Sequence, residues 1–268
     1  MQKLGVVEDT LFVPMLGRIY ASEHCPQILY DKKALELKNK LPSDLIEQNK
    51  QNQYTLLASA SRSANMDRII RDFLERRPNG AIVQLGCGLE TTYYRCDNGR
   101  AHWYAVDLPH VIEYRRGLLP EPERECYISG NAFAKDWIKK VRDEVLDTPI
   151  LVIAGGLFHY FEENKVIALL RMIGQFGNME VVFDTVNRKG MAMMQKKYMR
   201  QIGHADAQMF FYVDAVEELA AKIGGNAKVI ADEPYYRYIP KNGLKMSTKV
   251  SMAVSDRFCM VKMIQLKL

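Results

Sequence analysis

The sequence predicts an α/β fold: a mostly parallel sheet with an antiparallel C-terminal edge, preceded by an N-terminal helical extension. Three observations lead there. From Ala81 onward, short apolar runs of strand character alternate with helical stretches, the pattern of βαβ units. The first run passes directly into a Gly86-Cys87-Gly88 turn. Residues 1–79 carry helical rather than alternating periodicity. A chain of 268 residues is long enough for one such domain, and 48% apolar with 26% charged residues excludes disordered and collagen-like chains.

Each element has its own signal. Asp31 can cap a short helix through Lys40, and a second helix from about Ser63 to Arg77 carries Met66, Ile69, Ile70, Phe73 and Leu74 at helical spacing until Pro78, Asn79 and Gly80 end it. The expected strands are Ala81–Leu85, His102–Val106, Glu125–Ser129, Ile150–Ala154 and Glu180–Phe183. Between them, Pro109 suits the first turn of a helix after Asp107, and Asn164–Phe176 places Val166, Ile167, Leu169, Leu170 and Ile173 on one side. Asp214 and Glu217 form a D-x-x-E capping pair before a helix that stops at Gly224 and Gly225. Lys228–Asp232 and Arg257–Lys267 supply the last two strands, at the antiparallel edge. No repeat or linker divides the chain, so residues 1–79 are read as a helical cap of the same domain as 80–268.

Charge and cysteines narrow the function. The excess of 37 basic over 32 acidic residues is scattered, so no nucleic-acid partner is expected. Five dispersed cysteines without a C-x-x-C pair argue against a disulfide framework and a zinc site, which fits a cytoplasmic protein without a metal. No leader-like N-terminus or bilayer-length apolar stretch is present, so no membrane association is expected.

The chemistry concentrates at Ile82-Val83-Gln84-Leu85-Gly86-Cys87-Gly88-Leu89-Glu90, a buried strand entering a G-x-G turn where a ligand can approach bare backbone. Asp107 ends the next strand, where an acid can accept hydrogen bonds from ribose hydroxyls; it can equally cap the helix before Pro109. A dinucleotide fingerprint would need a third glycine where Thr91 stands. S-adenosylmethionine, which has no phosphate, needs only the turn and the acid.

Four blocks resemble the leucine carboxyl methyltransferase family, in particular its bacterial polyketide O-methyltransferase branch: VEDTLFVPMLGRIYAS from Val7, SRSANMDRIIRDFL from Ser61, VQLGCGLETTYYR leading to WYAVDLPHVIEYRRGLL, and ILVIAGGLFHYF from Ile150. The resemblance implies a Rossmann-like class I methyltransferase sheet and S-adenosylmethionine as cofactor. By position it implies that Arg62 binds the cofactor's methionine carboxylate, that Gly86 and Gly88 pass its backbone side, that Asp107 holds the ribose, and that Asn131 lies near the adenine and Tyr160 near the cofactor. Glu90 and Gly155 also fall at cofactor-facing positions. The chain departs from the family pattern there, because Gly155 replaces a common glutamate and Glu90-Thr91-Thr92 replaces Asp-Thr-Arg. Those departures keep open a catalytically degenerate binding module as the alternative.

The implied reaction is methyl transfer to an oxygen of a small-molecule acceptor. A carboxylate acceptor is already ionised near neutral pH, whereas a hydroxyl needs a general base. His159 beside Tyr160 is the favoured base and His204 the second; His159 can also be read as an ordinary strand-end histidine. The acceptor side is expected after the fifth strand, around 185–212. Seven of 14 methionines fall between Met172 and Met209, a deformable surface that suits a bulky flat acceptor, a packed core helix or a dimer contact.

Overall fold

The computed structural model describes residues 11–41, 51–195 and 209–268. Seven strands form one sheet in the order β3-β2-β1-β4-β5-β7-β6. These are β1 (Ala81–Leu85), β2 (His102–Asp107), β3 (Glu125–Ser129), β4 (Ile150–Ala154), β5 (Met179–Val186), β6 (Lys228–Pro234) and β7 (Val261–Lys267). β1 to β5 pair in parallel, and β7 runs antiparallel between β5 and β6, so the edge strand β6 points the same way as the parallel set.

Strands buried on both sides read as continuous apolar runs, and β1 and β4 are buried at every residue. Alternation divides their side chains between two cores. Val83, Leu85, Val152, Ala154, Val181 and Phe183 meet the helices α6 (Asp136–Val145), α7 (Glu163–Gly174) and α9 (Val216–Ile223). Ile82, Leu151, Ile153 and Val182 face the opposite layer, covered by α3 (Gln53–Arg76) and α10 (Met246–Arg257). The remaining helices are α1 (Phe12–His24), α2 (Lys32–Leu37), α4 (Thr92–Cys96), α5 (Pro109–Leu118) and α8 (Arg188–Met193). Among the described residues, no helix is long and apolar enough to cross a membrane.

Several boundaries differ from expectation. Asp31 does cap α2, accepting the Ala34 N–H at 2.9 Å, but the α-helix ends at Leu37 and a 3₁₀ turn continues to Lys40. The helix expected from about Ser63 begins at Gln53, because Asn52 Oδ1 caps it by accepting the Thr55 N–H at 2.9 Å. Ala215, not Asp214, is the N-cap of α9. Asp214 Oδ1 is taken by the Arg188 N–H at 2.9 Å, which removes the expected capping pair. Helix α10 lies where no element was expected.

Candidate active site

The C-terminal ends of β1, β4 and β5 open into one cavity of about 820 Å³ beneath α1, α3 and α10. Its wall includes Arg62, Gly86, Gly88, Glu90, Gly155, His159 and Tyr160 of the sequence-derived set. Gly86 and Gly88 have φ of +62° and +45°, left-handed values that favour glycine. The loop's carbonyls are held from both sides: buried Arg115 donates to Gly88 O at 3.1 Å and Glu90 O at 2.7 Å, and buried Arg18 donates to Leu89 O at 2.7 Å.

Asp107 stands behind this loop, with Oδ2 accepting the Gly88 N–H and Oδ1 the Leu108 N–H, both at 2.8 Å. Burial raises its carboxyl pKa against the lowering effect of those N–H groups. Asn131 borders a second, smaller depression of about 530 Å³ beside Phe133 and Phe161, whose rings lie 4.2 Å apart, and its Oδ1 accepts the Phe133 N–H at 2.9 Å. The structure therefore gathers most of the set at one cavity and places Asp107 and Asn131 next to, rather than in, its wall.

Glu90 is engaged by protein groups. It pairs with Arg18 at 3.0 Å and Arg95 at 2.9 Å, and accepts the Ser63 hydroxyl at 3.0 Å and the Thr91 N–H at 2.9 Å. Burial opposes its ionisation, but the two arginines outweigh burial and hold the carboxyl well below its usual range. Arg95 also pairs with Asp31 and Asp67, so the loop, α2 and α3 meet in one buried ionic cluster.

Asp184, near the end of β5, is the member that sequence reasoning missed. Its Oδ2 accepts Arg62 Nε–H at 2.8 Å and its Oδ1 the Gly156 N–H at 2.6 Å, while His159 Nε2 lies 3.4 Å from Oδ2. Burial would raise this pKa, yet Arg62, His159 and the Gly156 amide together hold the carboxyl well below the usual range. An ionised carboxylate only accepts hydrogen bonds, so in this contact His159 Nε2–H donates and Asp184 Oδ2 accepts. His159 is 2% exposed, and its Nδ1 has no partner among the described residues. Gln84 is a second missed residue: buried on β1 at the cavity wall, with neither amide atom hydrogen-bonded among the described residues. Both had a sequence signal, a polar residue interrupting an otherwise apolar strand.

The acceptor-side reading holds a mixture. Met172 and Met179 belong to the core, whereas Met193, Met194 and Met209 line the cavity. Lys196, Lys197, Tyr198, Met199, Arg200 and His204 lie outside the described residues.

A sheet in this order, with a glycine loop at the end of β1 and an acid at the end of β2, defines the class I methyltransferase fold. The chain belongs to the leucine carboxyl methyltransferase family, whose profile matches residues 6–174, and it is a methyltransferase. It is 28% identical over 186 residues to the tetracenomycin polyketide synthesis O-methyltransferase TcmP of Streptomyces glaucescens, covering 69% of this chain and 67% of that one. A DUF574 family protein from Streptomyces avermitilis shares the fold at a TM-score of 0.60 and 12% identity, over 94% of this chain and 96% of that one. Magnesium protoporphyrin IX methyltransferase from Synechocystis, crystallised with S-adenosylhomocysteine, does so at 0.50 and 8%, over 95% and 98%.

Proposed function

We propose that the methyl donor is S-adenosylmethionine and that the acceptor is a small molecule presenting a carboxyl or hydroxyl oxygen. The observation that carries this reading is the continuity of the cavity, which runs from the glycine loop past Arg62 to His159 and the Met193–Met194 wall. One end suits a nucleoside cofactor and the other an apolar acceptor. The donor supplies an electrophilic methyl on a sulfonium, and the chain's task is alignment: an oxygen held about 3 to 3.5 Å from that carbon, opposite the sulfur.

The geometry supports the following residue roles. Arg62 gives Nε–H to Asp184, which orients a guanidinium with five N–H donors toward the donor's carboxylate. Asp107 holds the glycine loop and keeps lone pairs for ribose hydroxyls. Glu90 anchors the loop through Arg18 and Arg95, Gly155 leaves room for Arg62, and Asn131 and Tyr160 border the adenine and transfer ends. With a hydroxyl acceptor, His159 serves as the base while Asp184 stabilises the resulting imidazolium; a carboxylate acceptor needs no such step.

Two measurements test this. Calorimetry should show S-adenosylhomocysteine binding, weakened about tenfold or more in Arg62→Ala, as expected for losing a hydrogen bond to a charged group. A folded protein that binds neither the donor nor this product would overturn the reading. His159→Ala should lower turnover of a hydroxyl acceptor by about a hundredfold and leave transfer to a carboxylate nearly unchanged. Equal loss on both acceptors would remove His159 as the base.

A further inference from the structure

We infer that the outer side of helix α10 is a docking surface for an anionic lipid bilayer. The inference does not depend on the donor or the acceptor proposed above.

Met246, Val250, Val254 and Phe258 follow one another at successive fourth positions of α10 and its C-cap. They are 71%, 54%, 44% and 56% exposed, while Thr248 and Ser255 of the same helix are buried. With a rise of about 1.5 Å per residue the row is about 18 Å long. Met193 of α8, 41% exposed, adjoins it: Asn187, which caps α8, donates to Phe258 O at 2.9 Å, and Met193 shares the cavity wall with Val250 and Val254. A water-facing helix ordinarily turns such residues inward, and a contiguous apolar patch on a protein surface marks a contact.

Charge decides what makes that contact. From Tyr235 to Met260 the chain has five basic residues, Arg237, Lys241, Lys245, Lys249 and Arg257, against one acid, Asp256, so this connection holds +4 of the formal +5 of the whole chain. Asp256 is paired with Lys241 at 3.8 Å, and Asp214, beside the start of α8, with Arg188 at 3.5 Å. Lys189, Lys245, Lys249 and Arg257 have no ion pair among the described residues. At about 100° per residue Arg257 falls between Met246 and Val250, and Lys249 borders the row. An apolar row edged by Lys and Arg is the composition of helices that lie in the headgroup region of a membrane. Other occupants fit worse. A second copy would set the same basic residues against one another across a two-fold axis, and Lys is depleted from interfaces between proteins. The expectation of no membrane association rested on the lack of a leader and of a bilayer-length stretch, and neither bears on a helix that lies at the surface. Val250 and Val254 also line the cavity, so a chain docked through this row turns the cavity mouth to the bilayer.

The test is co-sedimentation of the full chain with vesicles of phosphatidylcholine alone and of phosphatidylcholine mixed with phosphatidylserine. The mixed vesicles should bind the protein at least about tenfold more tightly, and added salt should weaken that binding. Lys249→Gln with Arg257→Gln should lower it about thirtyfold, at roughly fivefold per basic residue, and Met246→Ser with Phe258→Ser about tenfold. None of these four residues lines the cavity, and an unchanged thermal transition shows that each double variant is folded. Equal binding to the two kinds of vesicle, binding that both double variants keep, or no binding to either would overturn the proposal. So would retention on polyglutamate without vesicle binding, which marks an acidic protein partner. A dimer on gel filtration that Met246→Ser with Phe258→Ser dissolves would assign the face to a second copy instead.

Discussion

Asp184 divides one carboxylate among Arg62, Gly156 and His159, so a single charge sets the posture of both the proposed donor-binding guanidinium and the proposed base. Because the folded group titrates below its unfolded value, its stabilising contribution is complete above about pH 4 and is lost as the pH falls from there toward the folded pKa. Asp184→Asn should therefore cost about 3 kcal/mol in urea unfolding at neutral pH, and the gap to the parent should close in acid. A gap independent of pH would show that the charge is not the cause. The same residue bears on Gly155. Ala154 pairs with Phe183, which brings Gly155 alongside Asp184, and a Cβ on Gly155 would stand 3.3 Å from Arg62 Cδ without a left-handed φ. We expect Asp184, on the neighbouring strand, to stand in for the acid absent from position 155. Asp184→Asn should weaken S-adenosylhomocysteine binding about tenfold or more, and adding Gly155→Glu to that variant should restore most of it by returning a carboxylate to Arg62. Gly155→Glu alone should gain little. No restoration in the double variant would sink the substitution of one acid for the other.

The glycine loop is the element whose shape depends most on residue type. Gly86 has a left-handed φ, and a Cβ there would come within 2.9 Å of Leu157 Cδ1. Gly86→Ala should cost about 1 to 2 kcal/mol of stability and lower affinity for S-adenosylhomocysteine, as read by urea unfolding and calorimetry. This loop, like β1 and β4, was legible in the sequence because buried parallel strands are written as largely apolar runs, and because a G-x-G turn is joined by Asp107 at the end of the next strand. Other elements were not legible, for physical reasons. The first turns of α3 bury Thr55, Ser59, Ser61 and Ser63, so polar residues occupy inward positions and mask the start of the helix. α10 carries a mixed pattern: Met252 is buried, but so are Thr248 and Ser255, while Met246, Val250 and Val254 are largely exposed. A periodicity rule that sends apolar residues inward cannot find a helix whose cavity side mixes serines with Val250 and Val254. Asp184 and Gln84 escaped for a related reason, since one polar residue in an apolar strand does not disturb the strand assignment and declares its role only when the neighbouring strands and α3 are in place.

Across the whole molecule, the N-terminal helices and the sheet share structure that two independent units would not. α3 supplies Met66, Ile69, Ile70, Phe73 and Leu74 to the core on one sheet face. The buried cluster of Arg18, Asp31, Asp67, Glu90 and Arg95 links α1, α2 and α3 to the glycine loop. Removing one member of such a cluster leaves a buried charge without its partner, so opening the cap alone is costly and should not precede unfolding of the sheet. We therefore expect residues 1–79 and 80–268 to unfold in one step. Far-ultraviolet circular dichroism, dominated by helices, and near-ultraviolet dichroism, reporting Trp103 and Trp137 on the sheet's two faces, should give coincident thermal transitions. A ligand held between cap and sheet raises the barrier to both at once. At a hundred times its dissociation constant, S-adenosylhomocysteine adds about 2.7 kcal/mol, which for a chain of this size moves the midpoint up by roughly 6 °C. Both signals should shift together by that amount. A helical transition that runs ahead of the tryptophan signal, or a ligand shift seen in only one of them, would show that the cap is a separate cooperative unit and that the cavity is not closed by a single folded body.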